Sequence, residues 1–221
     1  MSKRQVKSKE RVAKHGEVYT SPREVNAMLD LVKQETERID SRFLEPACGT
    51  GNFLAEILNR KLTIVSIRYK KNQIEYEKYS IIAVSSIYGI DILEDNVIDC
   101  RNRLYNIFIE QYNSLFKELI KEECKNAVSY LLSKNIIWGD ALTLRNVEEK
   151  STPIIFSEWS AVNSNKIKRR DFTMKNLVNT YANIDPEPNL FSDLGDNVAI
   201  PKAVKEFQPV HFLRLPDVEQ Q

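Results

Sequence analysis

At 221 residues the chain can bury one good-sized core but cannot supply two large independent domains, so one domain with appendages is expected. Its 32 Lys plus Arg against 31 Asp plus Glu give a net charge of +1, which excludes a globally basic nucleic-acid binder and confines any such contact to a local patch. Three scattered cysteines, Cys48, Cys100 and Cys124, offer neither a disulfide framework nor a zinc site, and no apolar run reaches signal or membrane-spanning length; a soluble cytoplasmic protein is the expectation.

Residues 1–13 are basic, lack an apolar face and read as an N-terminal arm. Ser21-Pro22-Arg23-Glu24 then combines an N-cap, a proline at the first helical position and a glutamate at the third, opening an amphipathic helix that runs to about Thr36. Asp40 to Glu45 reads as a short strand, Gly49-Thr50-Gly51 as a tight turn, and Phe53 to Leu58 as a helix. Residues 60–79 are charged and rich in tyrosine, compatible with one or two helices of unreadable role. A strand over Ile87 to Ile90 ends at Asp91, helices follow over Asp95 to Tyr112 and Leu115 to Leu132, and strands recur at Ile136 to Asp140 and Pro153 to Phe156. This alternation predicts an α/β fold with a mainly parallel sheet covered on both faces. Beyond Ser157 the signals are a basic cluster of Lys166, Lys168, Arg169 and Arg170, a loop at Asp185-Pro186-Glu187-Pro188 and a last strand within Pro209 to Leu215.

In an open parallel sheet, ligands gather at the carboxyl ends of the strands. Three polar features fall there: the glycine turn after the first strand, Asp91 after the second and Asp140 after the third. Glycines without a Cβ let backbone approach a ligand, and the helix start beyond them favours an anionic group. A carboxylate at the second strand's end can accept both hydroxyls of a ribose, and Asp140 can accept from an exocyclic amine. The blander alternative is a tight connection at the glycines and two aspartates that cap their own following helices. His15 and His211 have no metal-ligand spacing.

The stretch Glu45-Pro46-Ala47-Cys48-Gly49-Thr50-Gly51-Asn52-Phe53 resembles the S-adenosylmethionine motif of bacterial adenine-specific DNA methyltransferases, the modification subunits of restriction systems. Gly16-Glu17-Val18-Tyr19-Thr20-Ser21-Pro22 is similar to the element that precedes it in those enzymes. Tyr88-Gly89-Ile90-Asp91-Ile92 looks like their ribose motif and Trp138-Gly139-Asp140-Ala141 like their adenine-side motif. The likeness spans about residues 14 to 160 and implies a class I, Rossmann-like, doubly wound fold, with residues 161–221 as an extension that completes the sheet. It also implies that Thr20 touches the methionine carboxylate, Glu45 faces the methionine amine, Ala47, Gly49, Gly51 and Asn52 shape the cofactor turn, Asp91 holds the ribose, Ile92 packs on the adenine and Asp140 bonds the adenine amine.

The sequence departs from that family where its fourth strand ends in a polar residue, two prolines and an aromatic. Here the place is held by Ser157-Glu158-Trp159-Ser160. Ser157 or Glu158 is then the candidate acceptor for the target amine, and Trp159 either stacks on a flipped base or belongs to the core. Glu158 reads equally as a solvated side chain. Lys166, Lys168, Arg169 and Arg170 are the candidate phosphate contacts, or else a solvated loop. No target-recognition domain is evident. The resemblance therefore implies methyl transfer to a DNA adenine, alone or with a specificity or restriction subunit or as a homo-oligomer; the rival is a non-catalytic cofactor-binding subunit, and a protein or small-molecule acceptor is a third reading.

Overall fold

The computed structural model describes residues 8–15, 17–150, 152–163, 165–177 and 202–220. Residues 1–7 of the basic arm and the loop at Asp185 to Pro188 lie outside them. Beyond residues 1–7, α1 (Lys9–His15) is held by Arg11, whose guanidinium reaches Glu17 at 2.5 Å and Asp95 at 2.5 Å. An arm read from its charge thus has a local anchor, because one of those charges finds two carboxylates.

Ser21 caps α2 (Pro22–Asp30) through a reciprocal capping box with Glu24, and the helix buries Val25 and Leu29. The expected run to Thr36 is broken after Leu31, which is 85% exposed, and a separate turn, α3 (Lys33–Thr36), follows. β1 (Phe43–Glu45) leads through the glycine turn into α4 (Asn52–Tyr69), and α5 (Gln73–Ser85) returns the chain to β2 (Ile87–Asp91). Next come α6 (Glu94–Phe116), α7 (Glu122–Asn135) and β3 (Ile136–Asp140). The charged stretch at 60–79 is therefore the end of α4 and the start of α5. Its periodicity is masked because Lys61 and Glu77 are fully buried, each with hydrogen-bond partners.

β1, β2 and β3 are parallel and lie side by side in chain order, with Phe43 opposite Ile87 and Gly89 opposite Ile136; β4 (Arg145–Asn146) adds antiparallel to β3. Alternate residues of β2 face opposite ways. Ile87 joins the main core built from α4 to α7, whereas Tyr88 and Ile90 pack with Ile154, Phe156 and Met174 in a second cluster. Helices thus cover one face. The other is covered by the start of an antiparallel ribbon.

That ribbon corrects the expected fourth parallel strand. Ile155 does begin a strand, but β5 (Ile155–Val162) pairs antiparallel with β6 (Lys166–Thr173) in a separate sheet that β7 (Lys205–Glu206) and β8 (Val210–His211) extend. Asn165, at φ +59°, makes the reversal between β5 and β6, a conformation asparagine tolerates better than most residues. Residue 160, the expected end of the core, consequently falls inside β5. The basic cluster is β6 itself, and the expected last strand shortens to Val210–His211 before a 3-10 helix, Phe212–Gln220. Among the described residues no helix is long and apolar enough to cross a membrane.

Candidate functional site

Three adjacent parallel strands each end in a carboxylate: β1 in Glu45, β2 in Asp91 and β3 in Asp140. The glycine turn follows the first of them. Gly49 (φ +52°) and Gly51 (φ +80°) both take left-handed conformations that favour glycine, and Gly51 stands as the N-cap of α4 with no side chain to satisfy the first amides. The N-terminus of an 18-residue helix is thus left open at this end of the sheet.

Space as well as φ requires Gly51. A Cβ there would lie 2.6 Å from Cys100 Sγ. Gly51→Ala is expected to cost about 2–4 kcal/mol, the sum of a left-handed alanine and an overpacked contact. Adding Cys100→Ala should return the packing part but not the conformational part, which urea unfolding of the two variants will show.

Asp91 is buried and is the hub of the turn. Its Oδ2 accepts the Gly49 N–H at 2.8 Å, and its Oδ1 accepts the Leu93 N–H at 2.9 Å and Asn96 Nδ2 at 3.3 Å. The capping alternative is therefore real here, and a carboxylate with about four acceptor positions retains roughly one. Asp140 behaves similarly, accepting from the Leu142 N–H at 2.9 Å and Thr143 Oγ1 at 2.9 Å. The Leu142 amide, with the Thr143 bonds, holds its carboxyl below the usual range. Glu45 differs. Burial pushes its carboxyl up against the opposing Ala47 amide, and among the described residues no cation pairs with it.

The upstream element folds over this end. The Tyr19 ring lies 3.5 Å from where a Gly49 Cβ would stand, and its hydroxyl donates to Glu17 at 3.1 Å. Burial alone would raise the Glu17 carboxyl, but bonds from Arg11, Asn96 and Tyr19 hold it below its ordinary value. Thr20 contributes its carbonyl, which accepts from Asn52 Nδ2 at 3.1 Å, while Asn52 Oδ1 accepts from Arg103 at 2.5 Å. Ala47 is exposed, and Ile92 is 45% exposed with its carbonyl bonded to Trp138 Nε1 at 3.0 Å. Glu17 and Tyr19 lie in the upstream element that the resemblance includes, without a role of their own in it, and Asn96 is a member that the sequence reading does not name. The position of Asn96, early in the helix after Asp91, is the signal that could have found it. Cys48 lies beneath the turn beside Cys100; that neighbour and burial push its thiol up, which disfavours the thiolate.

The residues expected on the catalytic strand are turned to other work. Ser157 is buried, donates to Asp171 Oδ1 at 2.8 Å and gives its carbonyl to the Tyr88 hydroxyl at 3.0 Å. Trp159 is core: it is 7% exposed, donates to Asn135 Oδ1 at 2.9 Å and meets Tyr130 edge-on. That removes it from the base-stacking role. Glu158 pairs with Arg42 at 2.7 Å and Arg170 at 2.5 Å, yet its Oε2 is buried without an aligned hydrogen bond.

The basic cluster is likewise largely consumed. Arg169 is 5% exposed and grips Asp171 with two bonds of 2.7 and 2.8 Å, Lys168 pairs with Glu206 at 2.6 Å, and only Lys166 stays exposed. A phosphate-binding role for Arg169 is therefore overturned by its burial. Among the described residues no cluster of His, Cys, Asp or Glu could hold a metal ion.

The carboxyl ends of the strands present acceptors beside open helix amides. Glu45 offers a partly buried carboxylate to an ammonium, Asp91 and Asp140 keep acceptor positions for hydroxyl and amine hydrogens, and α4 presents open amides. No family model, no curated protein and no solved structure matches the chain.

Proposed function

We propose that this chain binds S-adenosylmethionine at the carboxyl ends of β1 to β3 in a class I, Rossmann-like arrangement, and serves methyl transfer to the amino group of adenine in DNA. The observation that carries the reading is the set of three carboxylates ending three neighbouring parallel strands around a left-handed glycine turn. Glu45 would pair with the methionine ammonium, Asp91 accept from the ribose and Asp140 from the adenine amine. The cofactor, when bound, supplies an electrophilic methyl group on a sulfonium.

Positioning is then the chain's main contribution. Tyr19 and Glu17 wall the glycine turn, whereas Glu158 is held by Arg42 and Arg170 at the amino end of the sheet and would have to leave both to accept from a target amine. Ser157 keeps acceptor capacity while it donates to Asp171, but it is buried, so a target amine would reach it only after a rearrangement. A second reading has a specific observation in its favour: Trp159 and Arg169 are locked into the core, so the chain binds cofactor as a non-catalytic subunit and a partner completes the reaction. A restriction or modification polypeptide is the partner this reading names.

Calorimetric titration with S-adenosylmethionine and its demethylated product tests the site. Saturable binding is expected, weakened about tenfold to a hundredfold in Glu45→Gln, the worth of one hydrogen bond to a charged group. Absence of binding by the folded wild-type protein would overturn the proposal. Incorporation of labelled methyl into unmodified bacterial DNA by the protein alone would then remove the second reading.

A further inference from the structure

The amino end of the parallel sheet, opposite the glycine turn, holds a cavity of about 960 Å³. Its walls identify the end: Arg42 immediately precedes β1, Ser86 precedes β2, and Arg68 and Tyr69 lie in the last turn of α4, which runs antiparallel to the strands. The far wall is the tip of the β5–β6 ribbon. None of the residues assigned to cofactor lines it.

The charges on these walls are not balanced. Arg38 is matched by Asp40 at 3.0 Å, Arg42 by Glu158 at 2.7 Å, and the lining Glu37 is itself taken by Lys33 at 3.6 Å. Arg68 and Lys78 have no carboxylate partner among the described residues. Between them Tyr69 and Tyr79 stack in parallel, with ring centroids 4.2 Å apart and planes 2° apart, and Lys78 lies 5.7 Å from the Tyr79 centroid. Guanidinium, ammonium and phenol groups all donate hydrogen bonds, and a phosphate ester offers only acceptors in return. Flat aromatic surface beside unpaired cations is also the combination that holds nucleotides. The volume suits a nucleotide unit rather than a bare ion.

We infer that this cavity is a second ligand site, which binds a nucleotide phosphate, free or within a nucleic-acid strand, through Arg68 and Lys78 against the Tyr69–Tyr79 pair. It stands on these walls alone and does not depend on cofactor binding. A cation near the last turn of α4 also suits the helix dipole, so the test must separate a ligand role from that structural one.

The experiment is fluorescence anisotropy of a labelled 20-nucleotide single strand with the full chain and no cofactor, across a salt series. Displacement by adenosine monophosphate, with inorganic phosphate as a second competitor, distinguishes a free nucleotide from a strand. Binding is expected to weaken at least tenfold in Arg68→Gln plus Lys78→Gln, with a salt slope shallower by about one to two. The charge-matched control Lys150→Gln plus Lys175→Gln, two exposed lysines outside the cavity, should bind as wild type. No binding of either strand or mononucleotide, or an equal loss in the control pair, would overturn the inference. Tyr79→Phe, which keeps the ring and removes one donor, supplies a milder variant that should lower affinity without touching the charge balance.

Discussion

Arg169→Ala is expected to destabilise the protein by about 3–5 kcal/mol, because it leaves a buried carboxylate with no cation. Arg169 is 5% exposed, bonds Asp171 twice, and also reaches the Tyr130 hydroxyl at 2.6 Å and Glu219 at 2.8 Å. Its guanidinium lies 5.6 Å from the Trp159 ring centroid and 4.5 Å from that of Phe207. One side chain therefore ties β6 to α7, to the 3-10 helix and to the chain that follows β7. Without it, Asp171 keeps among the described residues only the Ser157 hydroxyl as a side-chain donor. Urea unfolding should show a lower midpoint with an unchanged slope. The double replacement Arg169→Met plus Asp171→Leu should recover much of the loss, since a well-packed apolar pair can replace a buried ion pair. Arg170→Ala is the control. That side chain is 38% exposed, and its removal should cost no more than about 1 kcal/mol. Equal losses for Arg169 and Arg170 would refute the network.

Lys61 is the second large effect, and it carries a pH signature. Its ammonium is fully buried within α4 and donates to the Ile39 carbonyl at 3.1 Å, the Ser41 carbonyl and Ser86 Oγ at 2.6 Å. These bonds tie the entry to β1 to the entry to β2. Burial pushes the ammonium from its ordinary value of 10.5 down to about 7, against Asp40 and Glu35, which favour the charge, and with Arg38, which opposes it. Between these two values the unfolded chain binds more protons at this position than the folded one. Stability should therefore rise as pH rises from 7 toward 10, by at most about 1.4 kcal/mol per unit, and the contribution should be lost as pH falls through 7. Lys61→Met should abolish that slope. It should also cost about 2–4 kcal/mol at pH 9, because oxygens that the amine had satisfied lose a donor. Denaturant midpoints at pH 7 and 9 for both proteins check the sign. A slope that survives in Lys61→Met would assign it to another group.

Much of the fold was legible, and particular residues show why. The capping box at Ser21 and Glu24 and the glycine turn are written within a few consecutive residues, so they needed no distant partner to be read. Apolar runs at Ile87 to Ile90 and Ile136 to Trp138 located β2 and β3, and short loops between strong helices made the parallel order follow. The stretch at 60–79 resisted because Lys61, Tyr76 and Glu77 are polar residues at core positions. Periodicity counts such residues as solvent-facing. Glu77 is buried because Tyr112 at 2.5 Å and Lys121 at 2.7 Å reach it from α6 and from the start of α7.

The ribbon makes the same point more sharply. Along β6, Ile167, Arg169 and Asp171 face inward and Lys166, Lys168 and Arg170 outward, an alternation of period two that charge alone concealed as a basic patch. Three of these residues meet polar or aromatic partners across the strands: Ser157 stands opposite Asp171, Glu158 opposite Arg170 and Trp159 opposite Arg169. The candidate acceptors on β5 and the candidate phosphate contacts on β6 are thus largely one another's partners.

The amino-acid sequence by itself determined the local pieces: the left-handed glycine turn, the helix start behind it and the carboxylate at the end of each parallel strand. Those depend on φ, on capping and on apolar runs, all of which act over a few residues. Only the tertiary structure decided that β5 leaves the parallel sheet, that Trp159 and Arg169 are core, and that two cations at the amino end find no carboxylate among the described residues. Burial of a polar side chain is favourable only when its partners arrive, and here they come from segments far along the chain, such as Asn135 to Trp159 and Glu219 to Arg169.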